Sequence, residues 1–112
     1  MIYLVQNFSM VKKFYITTAI AYMNAGPHAG HALEIIQTDA LARMWRFLGY
    51  EVIFQTGSDD HGMKIRNASK QAELEVHDFV NQNTQLFKSL YSKLRISYDV
   101  FQQTSSKELH YP

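Results

Sequence analysis

Two short stretches of the chain hold residues whose types and spacing could do chemistry. In Asn24-Ala25-Gly26-Pro27-His28-Ala29-Gly30-His31, two imidazoles stand three residues apart around a glycine. Imidazole N–H groups can donate hydrogen bonds to phosphate oxygens. Gly30 removes the Cβ that would keep a flat base or sugar away from the backbone. The same pair, at one-turn spacing, could instead be half of a metal site, or two solvated loop histidines. In Gly57-Ser58-Asp59-Asp60-His61-Gly62, two carboxylates and an imidazole lie between two glycines. One carboxylate there could hold a substrate ammonium through a charge-assisted bond. Either could equally cap the helix that follows. We favour the ammonium role for Asp59, leave Asp60 open between the two, and expect His61 to make a structural hydrogen bond to the loop.

The elements that must position these groups are legible as periodic runs. Lys13 to Ala21 (KFYITTAIA) is β-branched and aromatic, as a buried parallel strand should be. Leu33, Ile36, Ala40, Met44 and Leu48 recur at helical spacing, which predicts a helix over about residues 31 to 48 whose N-terminus opens near Gly30 or His31. Gly49 suits its C-cap, and Arg43 and Arg46 suit the negative end of its dipole. Tyr50 to Thr56 (YEVIFQT) follows as a second strand, with Val52, Ile53 and Phe54 expected at its buried centre. Strand, helix, strand with a short return is a βαβ unit with parallel strands.

A strand-to-helix turn of this kind concentrates unpaired N–H groups and the positive end of a helix dipole, so it suits an anion. The first motif therefore reads as a phosphate and nucleotide site. Ligands of such sheets bind beyond the carboxyl ends of the strands, so residues 19 to 31 and 57 to 62 should meet on one rim. Farther on, Met63 to Glu73 and Val76 to Leu94 read as helices, the second with Val76, Phe79, Val80, Phe87, Leu90 and Leu94 on one face. Residues 95 to 104 look extended. Two or three parallel strands cannot cover both faces of their own sheet, so the chain reads as the opening portion of a doubly wound α/β domain.

Composition narrows the classes. The 112 residues suffice for one modest core, and 46% hydrophobic with 19% charged residues suits a globular chain. A net charge of +1 supplies no electrostatic footprint for a nucleic-acid backbone. The absence of cysteine removes disulfides and Cys-ligated zinc from these residues and fits a reducing compartment. No run approaches the length of a membrane span, so no membrane partner is expected. Met1 to Met10 is too short and too lightly charged for a secretory signal, and residues 1–12 read as an N-terminal arm or start-site extension. Trp45 and the Tyr and Phe residues at helical spacing are expected in the core, and Lys12 and Lys13 at a solvated strand start. His77 and His110 are assigned no chemistry.

The motifs carry a family resemblance. His28-Ala29-Gly30-His31 resembles the HIGH signature of class I aminoacyl-tRNA synthetases, with Ala in place of the usual Ile. Thr17-Thr18-Ala19-Ile20-Ala21-Tyr22-Met23-Asn24 resembles the methionyl-tRNA synthetases within that class. So do Gly57 to Gly62, where many members read GTDEHG, and Ile96 to Thr104 (ISYDVFQQT). Ala19 stands where many members carry Pro, and Ala21 where Tyr or Pro is usual.

The resemblance implies a Rossmann-like parallel sheet with flanking helices, first half only, over residues 13–112. It implies methionine activation by ATP with Mg²⁺, transfer to tRNA, and a cytoplasmic setting. By the same resemblance, His28 and His31 are catalytic and touch the ATP phosphates. Asn24 shapes that loop, and Gly30 underlies the adenosine. Ile20 and Tyr22 line the methionine side-chain pocket, and Asp59 takes the ammonium. No metal ligand is assigned, and zinc is left undecided because these residues offer no ligand set.

The family's lysine-bearing KMSKS loop, its zinc-carrying insertion and its anticodon-binding domain do not occur in these 112 residues. The chain is thus expected to be a truncated N-terminal portion, inactive alone. Two alternatives stand beside this one: a cytidylyltransferase-type enzyme, which also carries an HxGH turn, and a metal hydrolase built on His28, His31, Asp59 and His61.

Overall fold

A computed structural model describes residues 10–108. The first nine residues of the expected arm, and His110, lie outside the described residues. The element order is β1 (Lys13–Thr17), β2 (Ala21–Tyr22), α1 (Ala29–Phe47), β3 (Glu51–Asp59), α2 (Met63–Gln71), α3 (Val76–Lys93) and β4 (Val100–Gln103).

All strand pairings are parallel. β3 is central. Gln55 of β3 faces Thr17 of β1 on one edge and Val100 of β4 on the other. Ser58 likewise faces Ala21 of β2 and Gln103 of β4, so β1 and β2 follow each other along a single edge of β3. The expected strand over residues 13–21 is therefore one line of chain with a break in it. At the break, Thr18 N–H still reaches the Gln55 carbonyl (3.2 Å), but Ala19 N–H turns to the Glu34 carboxylate on α1 (3.0 Å). Pairing resumes until Met23 N–H meets the Asp59 carbonyl at 3.1 Å.

The core lies on one face of this sheet. Phe54, Ile35, Met23, Ile65 and Phe87 are fully buried, and Phe14, Ile16 and Val52 turn partly the same way. A phenylalanine or leucine buried in this way contributes about 1.5–3 kcal/mol. Phe87 and Tyr91 take the core role expected of the ring residues and Trp45, half-buried, stacks on Phe14 at 4.7 Å between ring centres, but Phe47 stands out on the surface.

Three expectations are corrected. Ile53 does not sit at a buried centre, because alternate residues of a strand point to opposite faces, and among the described residues the far face is left open: Ile53 is 49% and Tyr15 59% exposed. On α1 the apolar stripe of Leu33, Ile36, Ala40, Met44 and Leu48 faces outward, and the residues turned inward are Ile35, Asp39 and Ala42. The strand expected to end at Thr56 runs on to Asp59, so Gly57, Ser58 and Asp59 are strand rather than turn.

Asp39 is the polar residue in that buried line. It accepts the Ser97 N–H (2.7 Å) and hydroxyl (2.5 Å), and also the Arg43 guanidinium at 2.7 Å. Arg46 reaches Asp99 at 2.8 Å, and Asp99 in turn accepts Phe54 N–H at 2.7 Å. The two arginines thus hold the segment that leads into β4, a more specific task than the dipole role expected of them.

Candidate functional site

The carboxyl ends of β2 and β3 bring the two motifs to one rim. Tyr22 and Asp59 are partners in the register of β2 and β3, and His28 follows Tyr22 by six residues. The intervening loop is tied down by α3, where buried Asn83 donates its amide N–H to the Met23 carbonyl at 3.1 Å.

His28 is the N-cap of α1, so the helix starts at Ala29, slightly earlier than expected. Its Nδ1 accepts Gly30 N–H at 3.0 Å, and His31 Nδ1 accepts His28 N–H at 3.2 Å. This is a capping box made of two imidazoles. The rings lie 3.9 Å apart, and His31 meets the buried Phe87 ring edge-on at 5.0 Å. Burial holds the His31 imidazole below its usual pKa, the neighbouring His28 pushes the same way, and Glu34 opposes them. A Cβ on Gly30 would lie 2.9 Å from His28 Cε1, so the space freed by this glycine is taken by the His28 ring. The open backbone expected there for a base is covered from that side.

Across the rim, Asp59 is half-buried, and its Oδ1 accepts His61 N–H at 3.4 Å. Asp60 is only 4% exposed. Its Oδ2 takes the Ser105 hydroxyl at 2.5 Å, while its own N–H donates to the Thr104 hydroxyl at 2.9 Å. Neither carboxylate caps α2, whose N-cap is Gly62 with no side-chain bond. For Asp60 the question left open by sequence resolves into a third role, tying the end of β3 to the turn after β4. His61 makes a structural contact as expected, its Nε2 lying 3.4 Å from the Thr104 carbonyl. Gly62 adopts φ +127°, which side chains avoid, and a Cβ there would overlap the Tyr22 hydroxyl. Tyr22 is therefore seated by a glycine from the other motif.

Ile20 lies in the break between β1 and β2 and is exposed, as is Asn24. A cavity of about 460 Å³ opens at the start of α2, lined by Asp60, His61, Gly62, Arg66 and Val76 among others, and by none of the residues expected to bind ATP or methionine. Among the described residues, no three His, Asp or Glu side chains gather in a way that could hold a metal ion. The metal-hydrolase alternative requires such a gathering.

Sequence reasoning missed Glu34, Asn83 and the Thr104–Ser105 turn. Their signal is tertiary, since each acts on backbone or side chains at least 15 positions away.

The family described as tRNA synthetases class I (M) matches residues 14–111. The chain belongs to that family. It is 44% identical over 100 residues to a methionine--tRNA ligase of Mycobacterium bovis, covering 89% of this chain and 19% of the relative. A Thermotoga maritima methionine--tRNA ligase is 44% identical over 98 residues, 88% of this chain and 15% of that one. The structure of Mycobacterium tuberculosis methionyl-tRNA synthetase bound by methionyl-adenylate aligns with a TM-score of 0.83 at 44% identity, over 85% of this chain and 19% of that one. The chain thus spans about a fifth of the relatives' length. Its membership also decides against the cytidylyltransferase-type alternative.

Proposed function

We propose that these residues form the opening part of a methionine--tRNA ligase catalytic domain, which activates methionine with ATP and passes it to tRNA. The observation that carries this reading is the double-imidazole cap of α1 on the same rim as the Tyr22–Asp59 pair. The methionine carboxylate attacks the α-phosphorus of ATP in line, yielding methionyl-adenylate and pyrophosphate. The adenylate is then intercepted by the terminal ribose hydroxyl of tRNA. The first step needs little proton transfer, so positioning and stabilisation of spreading phosphoryl charge dominate.

In this reading, His28 and His31 donate to phosphate oxygens beside the N–H groups of the first turn of α1. Asn24 shapes the loop before them. Asp59 takes the ammonium, and Ile20 and Tyr22 bound the methionine side chain. Mg²⁺ enters as part of the ATP complex. Without cysteine, and without a gathered ligand set among the described residues, the chain's own residues do not fit a zinc site, so no step runs through zinc. A cytoplasmic setting, where tRNA is charged, accompanies the proposal.

A chimera tests it. The matching segment of the M. tuberculosis enzyme is replaced by residues 14–108 of this chain, and methionine-dependent ATP–pyrophosphate exchange is measured. Exchange with methionine is expected, and His31→Ala should lower it by roughly 10²–10³ with little change in methionine affinity. A folded chimera that activates a different amino acid, or none, would overturn the reading.

A further inference from the structure

The two imidazoles at the start of α1 are engaged through the same ring atom. His28 Nδ1 accepts from Gly30 N–H, and His31 Nδ1 accepts from His28 N–H. A ring nitrogen that accepts a hydrogen bond holds a free lone pair and therefore no proton. In a neutral imidazole the proton must then sit on the other nitrogen. Among the described residues, neither Nε2 makes a hydrogen bond.

We propose that the reciprocal cap fixes His28 and His31 as a pair of neutral Nε2–H tautomers, so that the motif presents two donors of set identity to an anion. The choice of anion, the phosphates of a nucleotide, rests on the function proposed above; the tautomers rest on the cap alone. Protonating either ring would put a proton on Nδ1, where it would face a backbone N–H. Cap and imidazolium are thus mutually exclusive at each residue.

The surroundings support the neutral state. The two ring centres lie 3.9 Å apart with their planes tilted by 40°, close enough for two positive charges to repel, and the buried Phe87 ring meets His31 edge-on. Glu34 opposes the neutral state of His31, but its carboxylate is engaged with Ala19 N–H. Gly30 belongs to the same device. Any larger residue there would push on His28 Cε1 and Nδ1, which lie 2.9 and 3.1 Å from its Cβ position. On this account the glycine between the histidines seats the first ring.

The test uses the full 112-residue chain with ¹⁵N-labelled histidine, studied by solid-state NMR, which works whether or not the chain stays in solution. At about pH 8, above the ordinary imidazole range, both His28 and His31 should show an unprotonated Nδ1 and a protonated Nε2. Spectra of His28→Asn and His31→Asn assign the signals. A protonated Nδ1, or a mixture of tautomers, in either ring would overturn the inference.

A second pair of variants checks the cap independently. In His28→Asn the amide oxygen can take the place of Nδ1, so the start of α1 should survive. In His28→Gln the amide reaches toward Nε2 instead, and the unfolding constant should rise roughly 2- to 30-fold, the range for a lost cap. Equal stability of the two variants would also overturn it. Inorganic pyrophosphate added to the wild-type chain separates the two proposals. Shifts at both Nε2 atoms are expected, and fixed tautomers without such shifts would sink the phosphate role and leave the cap standing.

Discussion

The Asp60 carboxylate takes the Ser105 hydroxyl on Oδ2, whereas for Asp59, next to it, the 3.4 Å contact from His61 N–H is the one hydrogen bond to its carboxylate among the described residues. In the chimera, Asp59→Ala should therefore weaken methionine binding by up to about 3 kcal/mol, the scale of a lost bond to a charged group, and leave ATP binding nearly unchanged. Equilibrium titration with each ligand reads the difference, and equal losses would mean that Asp59 does not hold the ammonium. His31 supplies a pH dependence whose sign follows from burial. Its folded pKa lies below the ordinary 6.5, so below that value the unfolded chain takes up the proton first. The contribution to stability is thus full above about 6.5 and is lost as pH falls through the lowered folded value. Denaturant midpoints between about pH 5 and 8 should fall on acidification in the parent and fall less in His31→Gln.

At the scale of elements, the staple from α1 to residues 95–99 replaces apolar contact where the helix has little to offer. Burial raises the Asp39 pKa, but the Ser97 hydroxyl and N–H and the Arg43 guanidinium lower it further, so the net shift is downward. Asp39→Ala strands a Ser97 N–H and should cost about 1–3 kcal/mol, measurable by thermal or urea unfolding. The identity of each element was readable from periodicity, because strand and helix repeats differ and Gly49 and Gly62 stand between elements. Orientation was less readable. The stripe from Leu33 to Leu48 is apolar at helical spacing, yet it is the outward side of α1, while the inward line carries an aspartate. A periodicity argument assigns the apolar side to the core, and it fails where Asp39 finds a half-buried partner, Ser97, 58 positions away. The rim was legible as types and spacing, since His28 and His31 follow β2 and Asp59 ends β3 beside it. The Asp60 tie and the Gly62 seat for Tyr22 were not, because they depend on which loops meet.

At the scale of the chain, the outward stripe of α1 and the sheet face with Tyr15 and Ile53 leave apolar surface on two sides of the described residues, Phe47 being 90% exposed. Surface of this kind is covered in stable domains. The isolated chain should bind a hydrophobic dye and associate with itself at micromolar concentration, and Phe47→Lys with Leu41→Lys should reduce both in light scattering and dye fluorescence. Unchanged scattering would place the association elsewhere. A different consequence follows from the central position of β3, the strand with neighbours on both edges. Amide hydrogens there can exchange with solvent only after a neighbour has left, so Gln55 to Ser58 should be the slowest to take up deuterium, behind which β1 and β4 open earlier. The same strand ends in Asp59 beside Tyr22. The amino-acid end of the rim is therefore anchored to the last part of the molecule to open, while the imidazole end hangs on the first turn of a helix, and the two should lose their shape on separate clocks.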